Sequence, residues 1–141
     1  MSNSYQSDFY GWAVEQARLL RAGRLGEADI ANIAEEIDSM GRSERRELVS
    51  RLAVLLTHLL KWQVQPGLRG NSWRLTIVEQ RIRLAAHLAD NPSLRPDLPK
   101  AFADAWRVAI VMAERETGLP NLPQTPPCSY EQAMDEGFWP V

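Results

Sequence analysis

Apolar residues along this chain recur at steps of three and four, the period of a helix with one buried face. The longest run of that pattern lies between Glu44 and Ala89, interrupted once at Pro66-Gly67. Before the break, Leu48, Leu52, Leu55, Leu56, Leu59 and Trp62 form one wide apolar stripe; after it, Trp73, Ile77, Gln80, Leu84, Ala85 and Leu88 form another. The spacing predicts an antiparallel hairpin of helices over about 43–65 and 72–89 that carries most of the core, with Ser43 and Ser72 as caps. Packing the two arms about that turn sets Trp62 beside Trp73 and His58 beside Ile77. Glu79 and Gln80 then fall within a turn of His58.

The flanking segments follow the same period. Ser7-Asp8 opens a helix that carries Phe9, Trp12, Ala13, Gln16, Leu19 and Leu20 and stops at Gly23. Asp29 caps a second, with Ile30, Ile33, Ala34, Ile37 and Met40 as its inner stripe. Gly41 is expected to end or kink it, because a helix-interior glycine costs ~1 kcal/mol relative to alanine. After a turn at Asp90-Asn91-Pro92-Ser93, a fifth helix begins near Asp97 or Pro99, carries Phe102, Ala105, Trp106, Ala109, Ile110 and Ala113, and ends at Gly118. Four prolines between residues 118 and 128 predict an extended strap over the bundle. Ser129-Tyr130-Glu131-Gln132 is a capping box, so a short helix to about Glu136 follows. β-type alternation and internal repeats are absent from the sequence. The expected fold is all-α: a compact single-domain helical bundle over 1–141, with about five main helices plus a short C-terminal one.

Composition narrows the class without changing it. The 141 residues are 45% hydrophobic and 24% charged, ordinary for a globular domain, and the formal charge of −2 provides no global attraction to nucleic acid or anionic membrane. The one cysteine, Cys128, has no internal disulfide partner and no metal-ligating neighbours in sequence. The stretch Met1-Ser2-Asn3-Ser4-Tyr5 lacks the character of a signal peptide, and apolar runs stay short of the roughly 18 residues that span a membrane. The expectation is a cytoplasmic protein with no membrane partner.

Candidate chemistry gathers on the hairpin. Glu35, Glu36, His58, Lys61, Glu79 and Arg81 sit on or near apolar stripes, with Trp62 and Trp73 at the mouth. They read best as a buried polar network, with His58 donating to Glu79 or Glu36 and Arg81 paired to Glu35 or Glu36. The other readings are a metal site or a small-molecule pocket. Metal sites in bundles use inward Glu-x-x-His pairs, yet Leu55 and Leu84 occupy the positions three before His58 and His87. No metal and no cofactor are therefore assigned. No serine lies in a nucleophile turn, and Gly67-Leu68-Arg69-Gly70-Asn71-Ser72 lacks the lysine and the preceding strand of a phosphate loop. No catalytic residue is named; the residues lean away from an enzyme, with an acid-base or metal site centred on His58 and Glu79 as the alternative. Lys61, Arg69, Arg74, Arg81 and Arg83 oppose Glu79 alone, so a nucleic-acid partner is an alternative that the overall acidity disfavours. The apolar tail, Tyr130, Met134, Phe138, Trp139 and Val141, is expected to dock on its own bundle, with a homodimer as the other use of that surface.

Four blocks resemble a bacterial family: Asp8-Phe9-Tyr10, the run Ile33 to Glu44, His58-Leu59-Leu60-Lys61-Trp62-Gln63, and the run Ser72 to Arg81. It is domain-of-unknown-function family twenty-nine, found mainly in cyanobacteria and proteobacteria, and the resemblance covers nearly the whole chain. It implies a compact helical domain and no particular activity. The first function expected is a non-enzymatic interaction or regulatory module that binds another bacterial protein or itself. The family's bacterial setting makes an antitoxin-like role one form of it.

Overall fold

The structure, a computed structural model, describes residues 4–141; Met1, Ser2 and Asn3, part of the stretch read above for a leader, lie outside it. Among the described residues every regular element is helical: α1 (Phe9–Arg21), α2 (Ile30–Val64), α3 (Asn71–Asp90), α4 (Leu98–Thr117) and the short α5 (Tyr130–Met134). The all-α bundle is as expected, and among the described residues no helix is long and apolar enough to cross a membrane. Contacts divide the chain into two compact units, one ending at Ser43 and one formed by Glu44–Val141.

Two of the expected helices are one. α2 runs unbroken through Gly41 and Ser43, where an end or kink was predicted. A single glycine costs ~1 kcal/mol in a helix, too little to stop one flanked by good helix formers such as Met40, Arg42, Glu44 and Arg45. Open space surrounds Gly41.

In the first unit, Asp8 caps α1 by accepting from the Gly11 N–H at 3.1 Å. The helix closes with Gly23 at φ 71°, where the Gly23 N–H donates to Leu20 O and the Arg24 N–H to Leu19 O. That double closure needs a left-handed residue, which glycine supplies without steric cost. Trp12, Gln16 and Leu19 are buried. Trp12 Nε1 donates to Asp29 Oδ2 at 3.0 Å, and the Asp29 N–H donates to Gln16 Oε1 at 2.7 Å, so α1 fixes the start of α2. Hydrogen bonds from the Asn32 and Trp12 side chains hold the Asp29 carboxyl below the usual carboxylate range.

In the second unit, Leu48, Leu52, Leu55, Leu56, Leu59 and Leu60 of α2 are fully buried with Ile77, Leu84 and Leu88 of α3. Lys61 lies over the Trp73 ring while His87 faces Glu47, so the two helices run antiparallel as the sequence implies. The inner face of α3 is as expected at Ile77, Leu84 and Leu88, but Ala85 is exposed, and Arg81 and His87 are buried. α4 presents Ala101, Ala105, Ala109 and Ala113, all inaccessible. This small-residue row leaves room for Thr57 of α2, whose hydroxyl donates to Ala53 O at 2.6 Å and lies 3.4 Å from Ala109 O. Gly118, at φ 72°, ends α4. The strap after it is anchored by buried Leu122 and Cys128, and by Trp106 Nε1 donating to Gln124 O at 3.1 Å. The capping box of Ser129 and Gln132 forms, but α5 stops at Met134, short of Glu136.

Candidate functional site

The residues expected to form one polar network each have other partners. Glu35 accepts from Arg42, and Glu36 from the Tyr5 hydroxyl, both within the first unit. That bond to Glu36 raises the Tyr5 pKa. His58 Nδ1 lies 2.8 Å from Val54 O of its own helix and donates to it. Burial lowers the His58 pKa, only partly opposed by that bond, so the ring is held neutral. Lys61 Nζ is 3.3 Å from Glu116 of α4 and 4.8 Å from the Trp73 ring centre. Glu79 is exposed and lies 3.5 Å from Arg83, one turn along. The proposed pairings of His58 with Glu79 or Glu36, and of Arg81 with Glu35 or Glu36, give way to these contacts. Periodicity put the groups on suitable faces but could not choose among acceptors, and main-chain carbonyls are the most numerous acceptors in any core.

Arg81 and the tail form a lock. Arg81, only 5% exposed, donates through Nε to Ala133 O and through Nη2 to Phe138 O, both at 2.7 Å, and its guanidinium lies 5.2 Å from the Trp139 ring centre. Trp139 packs on Trp62 with centroids 4.7 Å apart, so Trp62 meets the tail where Trp73 was expected. Arg69 covers Trp62 and donates to both Trp62 O and Pro140 O. The tail is thus docked on its own unit. Three of the five cations that suggested nucleic acid are engaged internally, Lys61 with Glu116 and Arg69 and Arg81 with main-chain carbonyls, while Arg74 and Arg83 are exposed.

A second arrangement went unread in the sequence. Glu44 and Glu47, one turn apart on α2, face buried His87 of α3, and one ligand atom from each lies within 4.8 Å of the others. A search for Glu-x-x-His on one helix misses it, because its members come from two helices. The legible signal was the Glu-x-x-Glu spacing set against a histidine across the hairpin.

Large hydrophobic residues are exposed throughout the first unit, from Phe9 and Tyr10 to Ile37 and Met40. Ile30, Ile33, Ile37 and Met40 recur at steps of three, four and three, a seam on one side of α2. This stripe was expected to face inward, yet Ile30, Ile37 and Met40 are 53%, 62% and 66% exposed. α1 spans only 13 residues and buries Trp12, Gln16 and Leu19. Hydrophobic spacing reveals that a face is apolar, not what covers it. A family model described as "Domain of unknown function DUF29" matches residues 4–139. No curated protein and no solved structure matches the chain.

Proposed function

We propose, for a chain that belongs to the DUF29 family, that it is a non-enzymatic interaction module acting in the cytoplasm through the first unit. The carrying observation is the seam Ile30, Ile33, Ile37 and Met40, mostly open to solvent in a unit of about 40 residues, near the size below which domains generally need outside support. Exposed apolar rows of this length on a helix serve as docking faces for a second protein. The unit's charge selects the occupant: through Ser43 it has seven acidic side chains against four arginines. Two such units repel, so the partner is a different protein with an apolar groove rimmed by basic residues. An antitoxin-like or regulatory role is a natural use of such a face. The nucleic-acid reading is weaker, because most cations of the hairpin are already engaged.

Site-specific photocrosslinking in living cells tests this, with the reactive group at position 37 and a control at exposed Glu114. We expect a discrete adduct with one heterologous protein at position 37 only. With that protein purified, Ile37→Asp should weaken binding about 10- to 100-fold, the loss expected from one buried aliphatic side chain, without lowering the melting temperature. A self-adduct, or equal labelling at both positions, overturns the reading.

A further inference from the structure

The contact between His87 and Glu47 contains a chemical contradiction that a cation resolves. His87 Nε2 lies 2.8 Å from the main-chain oxygen of Glu44, so Nε2 carries the hydrogen and donates. In the neutral ring, Nδ1 is then a bare lone pair, and its neighbour is Glu47 Oε2 at 3.3 Å. Two acceptors face each other beside a ring whose side chain is only 8% exposed. A positive species must lie between them, either a proton on Nδ1 or a metal ion.

The surroundings favour the metal. Two ligands about 2.05 Å from a tetrahedral zinc ion stand roughly 3.3–3.4 Å apart, the separation seen here. Ligating histidines characteristically donate their other N–H to a carbonyl or carboxylate, and ligating carboxylates are held by hydrogen bonds. Both conditions are met: the Glu44 carbonyl orients the imidazole, and Arg51 donates through Nε and Nη2 to Glu47 Oε1, leaving Oε2 toward Nδ1. Glu44 Oε2 lies 3.6 Å from Nε2, on the donating side of the ring, and is steadied by Asn91 at 3.4 Å; one ligand atom from each of Glu44, Glu47 and His87 lies within 4.8 Å of the others. Asp90 and Arg83 stand at the rim of the same shallow depression. We propose that His87 Nδ1, Glu47 Oε2 and the Glu44 carboxylate form a binding site for one divalent cation of the zinc class, with water completing the shell on the open side. A dication balances the two carboxylates, and Arg51 belongs to the supporting layer, because it holds the oxygen that does not face the ring.

The test is calorimetric titration of the untagged full chain with Zn²⁺, paired with long-range proton–nitrogen NMR of the imidazoles. The expected result is one saturable site, with His87 Nδ1 shifting to a metal-bound position while Nε2 stays protonated. Glu47→Gln should weaken binding about 10- to 100-fold, and the more exposed Glu44→Gln should also weaken it. His58→Gln should leave it unchanged. Circular dichroism confirms that each variant is folded, and Glu44→Gln decides the matter if Glu47→Gln is not. No one-to-one binding, equal binding by the glutamine variants, or a ring that gains only a proton would overturn the proposal.

Discussion

Arg81 is a buried cation whose hydrogen bonds go to main-chain carbonyls and not to a carboxylate. Removing it strands one buried and one half-buried acceptor and frees the tail. Arg81→Gln should therefore destabilise the fold by about 2–4 kcal/mol, with the tryptophan emission shifting to the red as Trp139 leaves Trp62. Chemical denaturation followed by fluorescence measures both. Cys128 provides a second case: burial pushes its thiol pKa up to about 11, against 9.0 for an ordinary cysteine. Between those values the unfolded chain loses the proton and the folded chain keeps it, so stability is full below pH 9 and declines as pH rises toward 11. A Cys128→Ala variant should lose that part of the decline in denaturation series across this window. Arg81 was legible in the sequence as a polar residue near an apolar stripe. Its acceptors were not, because they belong to main-chain groups 52 and 57 residues away.

At the level of elements, glycines separate by backbone conformation. Gly41 has ordinary helical backbone and open space around it, so Gly41→Ala should stabilise by roughly 0.5–1 kcal/mol. Gly118 sits at φ 72°, where Gly118→Ala should cost about 1 kcal/mol. Thermal melts of the two variants should move in opposite directions. The sequence alone treats both residues as helix terminators. Gly118 is followed by Pro120 and the strap, whereas Gly41 stands between strong helix formers, and that context decides the outcome. The hairpin, the capping box at Ser129 and the end of α4 were readable because each depends on residues within one or two turns; the caps expected at Ser43 and Ser72 do not form, since α2 continues through Ser43 and α3 starts after Gly70. The edge of the α3 stripe was not readable: Arg81 is buried and Ala85, one turn on, is exposed, because the aliphatic stem of an arginine fills a core site once its head finds acceptors.

For the whole molecule, legibility fell with distance along the chain. The helical class and the antiparallel register followed from local periods, whereas the partners of His58, Glu79 and Trp62 depended on contacts that no period encodes. The inverted reading of Ile30, Ile37 and Met40 has the same origin, since an exposed apolar stripe has the same spacing as one built for the core. The Arg81 lock has one more consequence, for how such a chain can vary through descent. A guanidinium that grips carbonyl oxygens at positions 133 and 138 responds to the path of the backbone and is indifferent to the side chains along it. Glu136 can drift among polar residues without loosening the tail, while Arg81, Trp139 and Asp135, whose carboxylate accepts from the Gly137 N–H at 2.9 Å, cannot. Related chains should therefore keep the arginine and the indole as a pair and, Asp135 apart, spell the residues between their anchor points freely.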